Sequence, residues 1–430
     1  MGEGELKDAW IRTRAARSVS LLEEALQEVM GKHHPADQFL NRVFRQDRRI
    51  GGRDRRLYSN LIFAVFRWYG PLRKHSSDPA FLLAGAAAAE KYDLPEITFF
   101  LKQAGLPETC RNEIFAPETP LARLNAFLHL SGYPADLSGR ECLPEWIYSH
   151  LDFEPDEDFL ALQQIRPPLW LRVQRKTADE VIESLRRQNI EAVPDSRMEP
   201  ALRIDCPVNL PELEAYKRGW IEVQDLSSQC IGKICAPQEG ECWWDACAGG
   251  GGKSLHLASL MNGKGTITAS DVRGTKLEEL RQRAKRAGFS NLRTREWDGA
   301  ELPVGENSCD GVLIDAPCSS SGRWRRNPES RWLLTEERVT ELASVQKKLL
   351  DIAAKAVKPG GVLVYATCSL LRDENRPNTE SFPASHSEFM LEGFAHPLTG
   401  KTMSGQVQIL PVDGDCDASF IARFRKGKQP

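Results

Sequence analysis

At 430 residues the chain is too long for a single hydrophobic core and should divide into two or three domains. Its 41% hydrophobic and 27% charged residues are an ordinary globular composition, which excludes wholesale disorder. A net charge of −3 gives no global sign of nucleic-acid binding, so any such role must rest on local patches.

Residues 1–135 read as an all-α domain. "SVSLLEEALQEVM", "RRLYSNLIFAVFRWYG", "FLLAGAAAAEKY" and "LARLNAFLHL" carry apolar residues at three- and four-residue spacing, without strand-like alternation. Between the first two lies "NRVFRQDRRIGGRDRR", with seven arginines and a Gly-Gly break. Residues 140–225 read as a small α+β unit: strand "PLWLRVQ", helix "TADEVIESLRRQN" with Thr177 as N-cap, then returning strands in "EAVPDS" and "ALRIDCP". From 226 to 430 strands and helices alternate through "CWWDAC", "GTITASD", "LRTREWD", "CDGVLIDAP" and "GGVLVYATCS", which predicts an α/β domain with a parallel sheet covered on both faces. "GQVQILP" and "SFIARFRK" predict a closing antiparallel pair.

The longest apolar run, "FLLAGAAAA", is far short of the ~20 residues of a membrane span, and the acidic N-terminus has no apolar signal segment. The eleven cysteines include no C-x-x-C pair and the histidines do not cluster, so no metal site is expected. Reduced thiols in a cytoplasmic protein are the reading.

"DACAGGGGKS" lies between a predicted strand and helix, where backbone N–H groups can meet an anionic ligand. Gly252-Lys253-Ser254 matches the end of a phosphate-binding loop, which makes an ATPase one alternative. Cys247, however, stands where that motif needs its first glycine. A pocket for S-adenosylmethionine fits better. The loop would approach the methionyl part, Asp271 would hold the ribose hydroxyls, and Asp298 at the end of the third strand would meet the adenine side.

The fourth and fifth strands of this domain end in "DAPCS" and "ATCS". Strand carboxyl ends line the ligand crevice of such sheets, so Asp315, Cys318 and Cys368 should converge beside the glycine loop. Two thiols there have a chemical reason. Carbon 5 of cytosine is a poor nucleophile until a thiolate adds at carbon 6, after which it can take a methyl group from a sulfonium. Asp315 would hydrogen-bond the pyrimidine edge; Asp315, Lys253 or a water could accept the carbon-5 proton.

"DACAGGGGKSLHLA", "DAPCSSSGRWRRNPESRW" and "YATCSLLRDEN", in this order and spacing, resemble the RsmB/NSUN-type RNA cytosine-C5 methyltransferases. "PEWI", "PLWLRVQ" and "EVQDLSSQ" are similar to that family's linker and small RNA-contacting (RRM-like) domain. The N-terminus is similar to the NusB-like RNA-binding domain of the bacterial rRNA branch. The resemblance implies a Rossmann-like methyltransferase domain with S-adenosylmethionine held by Cys247, Ala248, Gly249, Gly250, Gly251, Gly252 and Lys253, with Asp271, Asp298 and Asp315. It implies Cys368 as nucleophile and Cys318 as the thiol that helps release the product. Gly250 replaces the family's proline, which should loosen the loop. "RDENRPNTESF" after Cys368 matches the family's acidic run only in part.

Arg323, Arg325, Arg326 and Arg331, interleaved with Trp324 and Trp332, are expected to meet RNA phosphates and bases, because a target cytosine must leave its stack to reach a thiol. The expected protein is a monomer acting on RNA, with rRNA the favoured substrate and no membrane. A non-catalytic RNA-binding ribosome-assembly factor is the other alternative.

Overall fold

The computed structural model describes residues 3–134 and 136–428, which form two compact units. The first runs up to Arg166 and takes in Trp324–Leu334; the second comprises Pro167–Arg323 and the remainder from Thr335.

The first unit is helical, as expected. Helices Glu3–Ala25, Ala36–Gln46, Gly52–Arg67, Pro79–Ala89, Ile97–Gln103 and Pro120–Leu130 surround one apolar core. The run "FLLAGAAAA" belongs to its innermost helix. Asp78 caps it by accepting from the Phe81 amide at 3.0 Å, Pro79 sits in its first turn, and every residue from Ala80 to Ala89 is buried. A helix apolar all round is a core helix, and Gly85 lets it pack tightly: a Cβ there would lie 2.3 Å from Leu72. The Arg-rich segment spans the end of one helix at Gln46 and the start of the next at Gly52, and all seven of its arginines are exposed.

The boundary expected near 135–140 moves. Short 3-10 turns at Gly139–Cys142 and Glu145–His150 and the helix Glu157–Leu162 belong to the first unit, with Cys142 buried in its core. These segments lack the clear periodicity of the longer helices, so a sequence reading assigns them to the next unit.

The second unit opens with β1 (Leu169–Val173), β2 (Val193–Pro194), β3 (Ala201–Ile204) and β4 (Ile221–Val223), an antiparallel sheet in the order β2-β3-β1-β4. Helix Ala178–Arg186 covers it with Val181 and Leu185. Thr177 caps that helix as expected, accepting from the Glu180 amide while Glu180 accepts from the Thr177 amide.

The main sheet is built on β5 (Cys242–Asp245), β6 (Thr266–Asp271), β7 (Leu292–Glu296), β8 (Cys309–Asp315) and β9 (Val357–Thr367), all parallel. It is completed by β10 (Phe389–Leu391), β13 (Gln406–Ile409) and β14 (Ser419–Lys426); β11 (Phe394–Ala395) and β12 (Thr402–Met403) form a separate ribbon. The order is β10-β14-β9-β8-β5-β6-β7, with β13 on β14 in the expected antiparallel pair. Apolar clusters cover both faces, so that adjacent Trp243 and Trp244 point into different ones. The sequence direction reverses at β5, with β6 on one side and β8 on the other. In such a Rossmann-like sheet that reversal opens a crevice at the strand carboxyl ends. Among the described residues no helix is long and apolar enough to cross a membrane.

Candidate active site

The turn between β5 and the helix Gly252–Leu260 is shaped by its glycines. Gly251 has φ +84°, and a Cβ there would lie 2.4 Å from Leu280 Cγ, so only glycine fits. The Ala248 amide donates to the Ser270 carbonyl at 2.8 Å and the Gly249 amide to Asp271 Oδ2 at 2.9 Å. Gly250 does not leave the loop slack. Its carbonyl accepts from Arg283 Nη1 at 2.5 Å, and Arg283 is held by the buried Glu222 at 2.8 Å. Arg286 takes the other oxygen of Glu222 at 2.7 Å. An arginine brace thus restrains the position where a loosened loop was expected.

Asp271 ends β6 and is also bound by Arg273. Burial pushes its carboxyl up, but the hydrogen bonds from the Arg273 side chain and amide outweigh it, and the group sits below its usual range. Asp298, just past β7, is exposed and accepts from the Ala300 amide at 3.0 Å. Asp245 is fully buried: Oδ2 accepts from Ser254 at 2.6 Å, Oδ1 has no partner, and burial raises the carboxyl to about 7. This set suits S-adenosylmethionine. A glycine turn admits close backbone approach, and carboxylates at neighbouring strand ends can receive hydroxyl and amine donors.

Lys253 Nζ meets Asp315 Oδ2 at 2.6 Å. Burial pulls the ammonium down, but the Asp315 carboxylate more than offsets this and its pKa is raised, so Lys253 is a cation. With Lys253 on Asp315 and Ser254 on Asp245, the two side chains a phosphate-binding loop would use are engaged inside the protein. The ATPase alternative has no support here.

β8 and β9 are neighbours, with Asp315 in register with Ala366. The turns that follow bring Cys318 and Cys368 together, Sγ to Sγ at 3.3 Å, both half-buried. Ser320 Oγ also lies 3.5 Å from Cys368 Sγ, where its hydroxyl can donate to the sulfur. The hydrogen bond between the thiols drives their proton affinities apart. That bond and burial push Cys318 well above the usual thiol range, with the charges of Cys368 and Glu374 adding to it. Cys368 is lowered, first by the bond from Cys318 and further by Ser320 and Arg323, against burial and Asp315. Of the two thiols, Cys368 is the one more ready to ionise.

The arginines after Cys318 divide. Arg323 is exposed and Arg326 half-buried, but Arg325 and Arg331 are completely buried in the first unit. Arg325 Nε donates to the Ile165 carbonyl at 2.9 Å. Arg331 donates to the carbonyls of Cys142, Gln163 and Trp324 and to Gln164 Oε1. Burial drops its pKa to about 9. Trp324 is buried, and Trp332 donates its indole N–H to the Phe66 carbonyl at 2.7 Å. The expectation of phosphate contact is therefore corrected for Arg325 and Arg331, which anchor this segment in the helical unit. Sequence reading saw the charge but had no means of seeing the carbonyls that absorb it.

Residues 233–425 match the family model described as 16S rRNA methyltransferase RsmB/F. Ribosomal RNA small subunit methyltransferase B of Cronobacter sakazakii (strain ATCC BAA-894) is 31% identical over 301 residues, spanning 68% of this chain and 69% of that protein. The corresponding protein of Sodalis glossinidius (strain morsitans) is 34% identical over 276 residues, and the match spans 61% of this chain and only 60% of that protein. The crystal structure of PH0851 superposes with a TM-score of 0.76 at 26% identity, covering 96% of this chain and 98% of that one.

Proposed function

Because the chain belongs to the RsmB/F family of rRNA methyltransferases, we propose that it methylates carbon 5 of a cytosine in ribosomal RNA through a covalent adduct on Cys368. The loop Cys247–Lys253 with Asp271 and Asp298 would hold S-adenosylmethionine, which would supply the methyl group. The observation that carries the reading is the polarised thiol pair beside the Lys253–Asp315 ion pair. Cys368, as thiolate, adds to carbon 6 and makes carbon 5 electron-rich. Asp315 accepts from the exocyclic amine, orienting the pyrimidine. After methylation the carbon-5 proton must leave before Cys368 can be expelled as thiolate. Lys253 is held as a cation and cannot take it. Once Cys368 is a thioether, the partner that most strongly raised Cys318 is gone, so Cys318 can release its own proton to solvent and, as thiolate, accept the carbon-5 proton. RNA is handled by Arg323, close enough to Cys368 to act on its charge, and by the exposed arginines of the Arg42–Arg56 stretch; surface arginines of this density suit phosphate contact.

Incubation with tritiated cofactor and unmodified rRNA should label cytosine carbon 5, located by bisulfite sequencing. Cys368→Ala should abolish label and adduct, and Cys318→Ala should accumulate a covalent RNA–protein complex. Adduct accumulation in Cys368→Ala instead would reverse the two roles, and no labelling of any rRNA would overturn the reading.

A further inference from the structure

Each cysteine of the pair is followed by a serine, Ser319 after Cys318 and Ser369 after Cys368, and both serine hydroxyls donate to one carboxylate oxygen, Glu374 Oε2, at 2.5 Å. The other oxygen, Oε1, accepts from the Ser319 amide at 2.8 Å and from Gln346 Nε2 at 2.9 Å. Gln346 also donates to the carbonyl of Pro317, the residue before Cys318, at 2.9 Å. The next residue, Asn375, completes the second loop: its Oδ1 accepts from Thr367 Oγ1 at 2.6 Å and its Nδ2 donates to the Ser369 carbonyl at 3.0 Å. Glu374 is fully buried. A buried carboxylate is costly unless donors surround it, and here four neutral donors converge, three of them from the turns that carry the thiols.

We infer that Glu374 is a positioning residue for the cysteine pair, its single carboxylate clamping the turns after β8 and β9 so that the two thiols face each other. It touches neither substrate nor sulfur and acts through Ser319 and Ser369. Its charge also has a direction. It adds to the proton affinity of Cys318 and does not figure among the main influences on Cys368, where Asp315 opposes the thiolate and Arg323 favours it. Lys253 also interacts with Cys368. A neutral side chain at 374 would remove a bias that keeps the proton on Cys318.

The inference rests on the proposed pairing of Cys318 with Cys368, but its test needs neither RNA nor cofactor. The full-length protein and its Glu374→Gln and Glu374→Asp variants would be alkylated with iodoacetamide across about pH 6 to 9, where thiols ionise. Labelling of the two cysteines would be resolved by peptide mass spectrometry. The wild type should label Cys368 in preference to Cys318. Glu374→Gln should reduce that preference on the order of tenfold, the effect of a one-unit change in relative acidity, and Glu374→Asp should restore part of it. A merely structural role would lower the melting temperature while leaving the ratio and its pH profile unmoved. A folded Glu374→Gln protein with wild-type preference would overturn the inference. If that variant fails to fold, Ser319→Ala, which removes one hydroxyl donor and keeps the amide, should still reduce the preference at least about twofold, since the lost hydrogen bond is to a charged group; an unchanged ratio would overturn it equally. Methyl transfer surviving in Cys368→Ala would sink the catalytic reading but leave this measurement standing.

Discussion

Replacing Arg283 by alanine isolates the brace on the glycine loop. The side chain makes one charge-assisted bond to the Gly250 carbonyl at 2.5 Å and a pair to Glu222 Oε2 at 2.8 and 3.2 Å. Bonds to charged groups contribute about 1.5–3 kcal/mol each. Part of that loss falls on folding, because Glu222 is buried and keeps Arg286 as its ion-pair partner, with Arg172 opposite it on β1. The part that concerns function is the freedom returned to the loop. Fixing one backbone residue costs about 1–2 kcal/mol, so a slack Gly250 adds that cost to cofactor binding. Calorimetry with S-adenosylmethionine should then show Kd weakened about 5- to 30-fold. Arg286→Ala supplies the comparison: it removes the other partner of Glu222 but leaves the bond from Arg283 to the Gly250 carbonyl, and should lower stability while weakening Kd less than Arg283→Ala does. Equal Kd in wild type and Arg283→Ala, despite lowered stability, would refute the brace.

Two further outcomes follow from buried charge. Burial raises Asp245 to about 7, above the ~3.9 of an unfolded chain, so its stabilising protonation is complete below the unfolded value and is lost as pH rises through the folded one. Asp245→Asn, which still accepts from Ser254, should therefore gain about 2–3 kcal/mol on the wild type between pH 5 and pH 8, measured by urea unfolding; a difference that does not change with pH argues against a neutral Asp245. Arg331→Ala should destabilise the helical unit by about 2–4 kcal/mol, through lost bonds to four oxygens, and leave cofactor affinity unchanged. Unaltered stability with weakened RNA binding would return Arg331 to the RNA surface.

Most of the architecture was legible because it is written in local signals. The 3.6-residue periodicity of the helical unit, the capped helix after Thr177, the alternation of strands and helices from 226 onward and the final antiparallel pair depend on neighbours a few residues apart. Motif chemistry carried further: the glycine turn with Asp271 and the two strand-end cysteines stand where their spacing predicted. The short turns from 139 to 166 and the small strands β10 to β12 escaped because they are too short for a period to show.

What residue type and order determined by themselves was the inventory of the site: a glycine turn, acids at strand ends, and two thiols after adjacent strands. Only the tertiary structure decided how that inventory is used. It buried Arg325 and Arg331 among backbone carbonyls, gave the Gly250 carbonyl to Arg283, and joined the cysteine turns through Glu374. Each of these links couples residues far apart in the chain, Gly250 with Arg283 and Ser319 with Glu374. Charge and hydrogen-bonding capacity can be read from a side chain, but its partner is set by packing, and the partner decides whether an arginine meets solvent or anchors the fold.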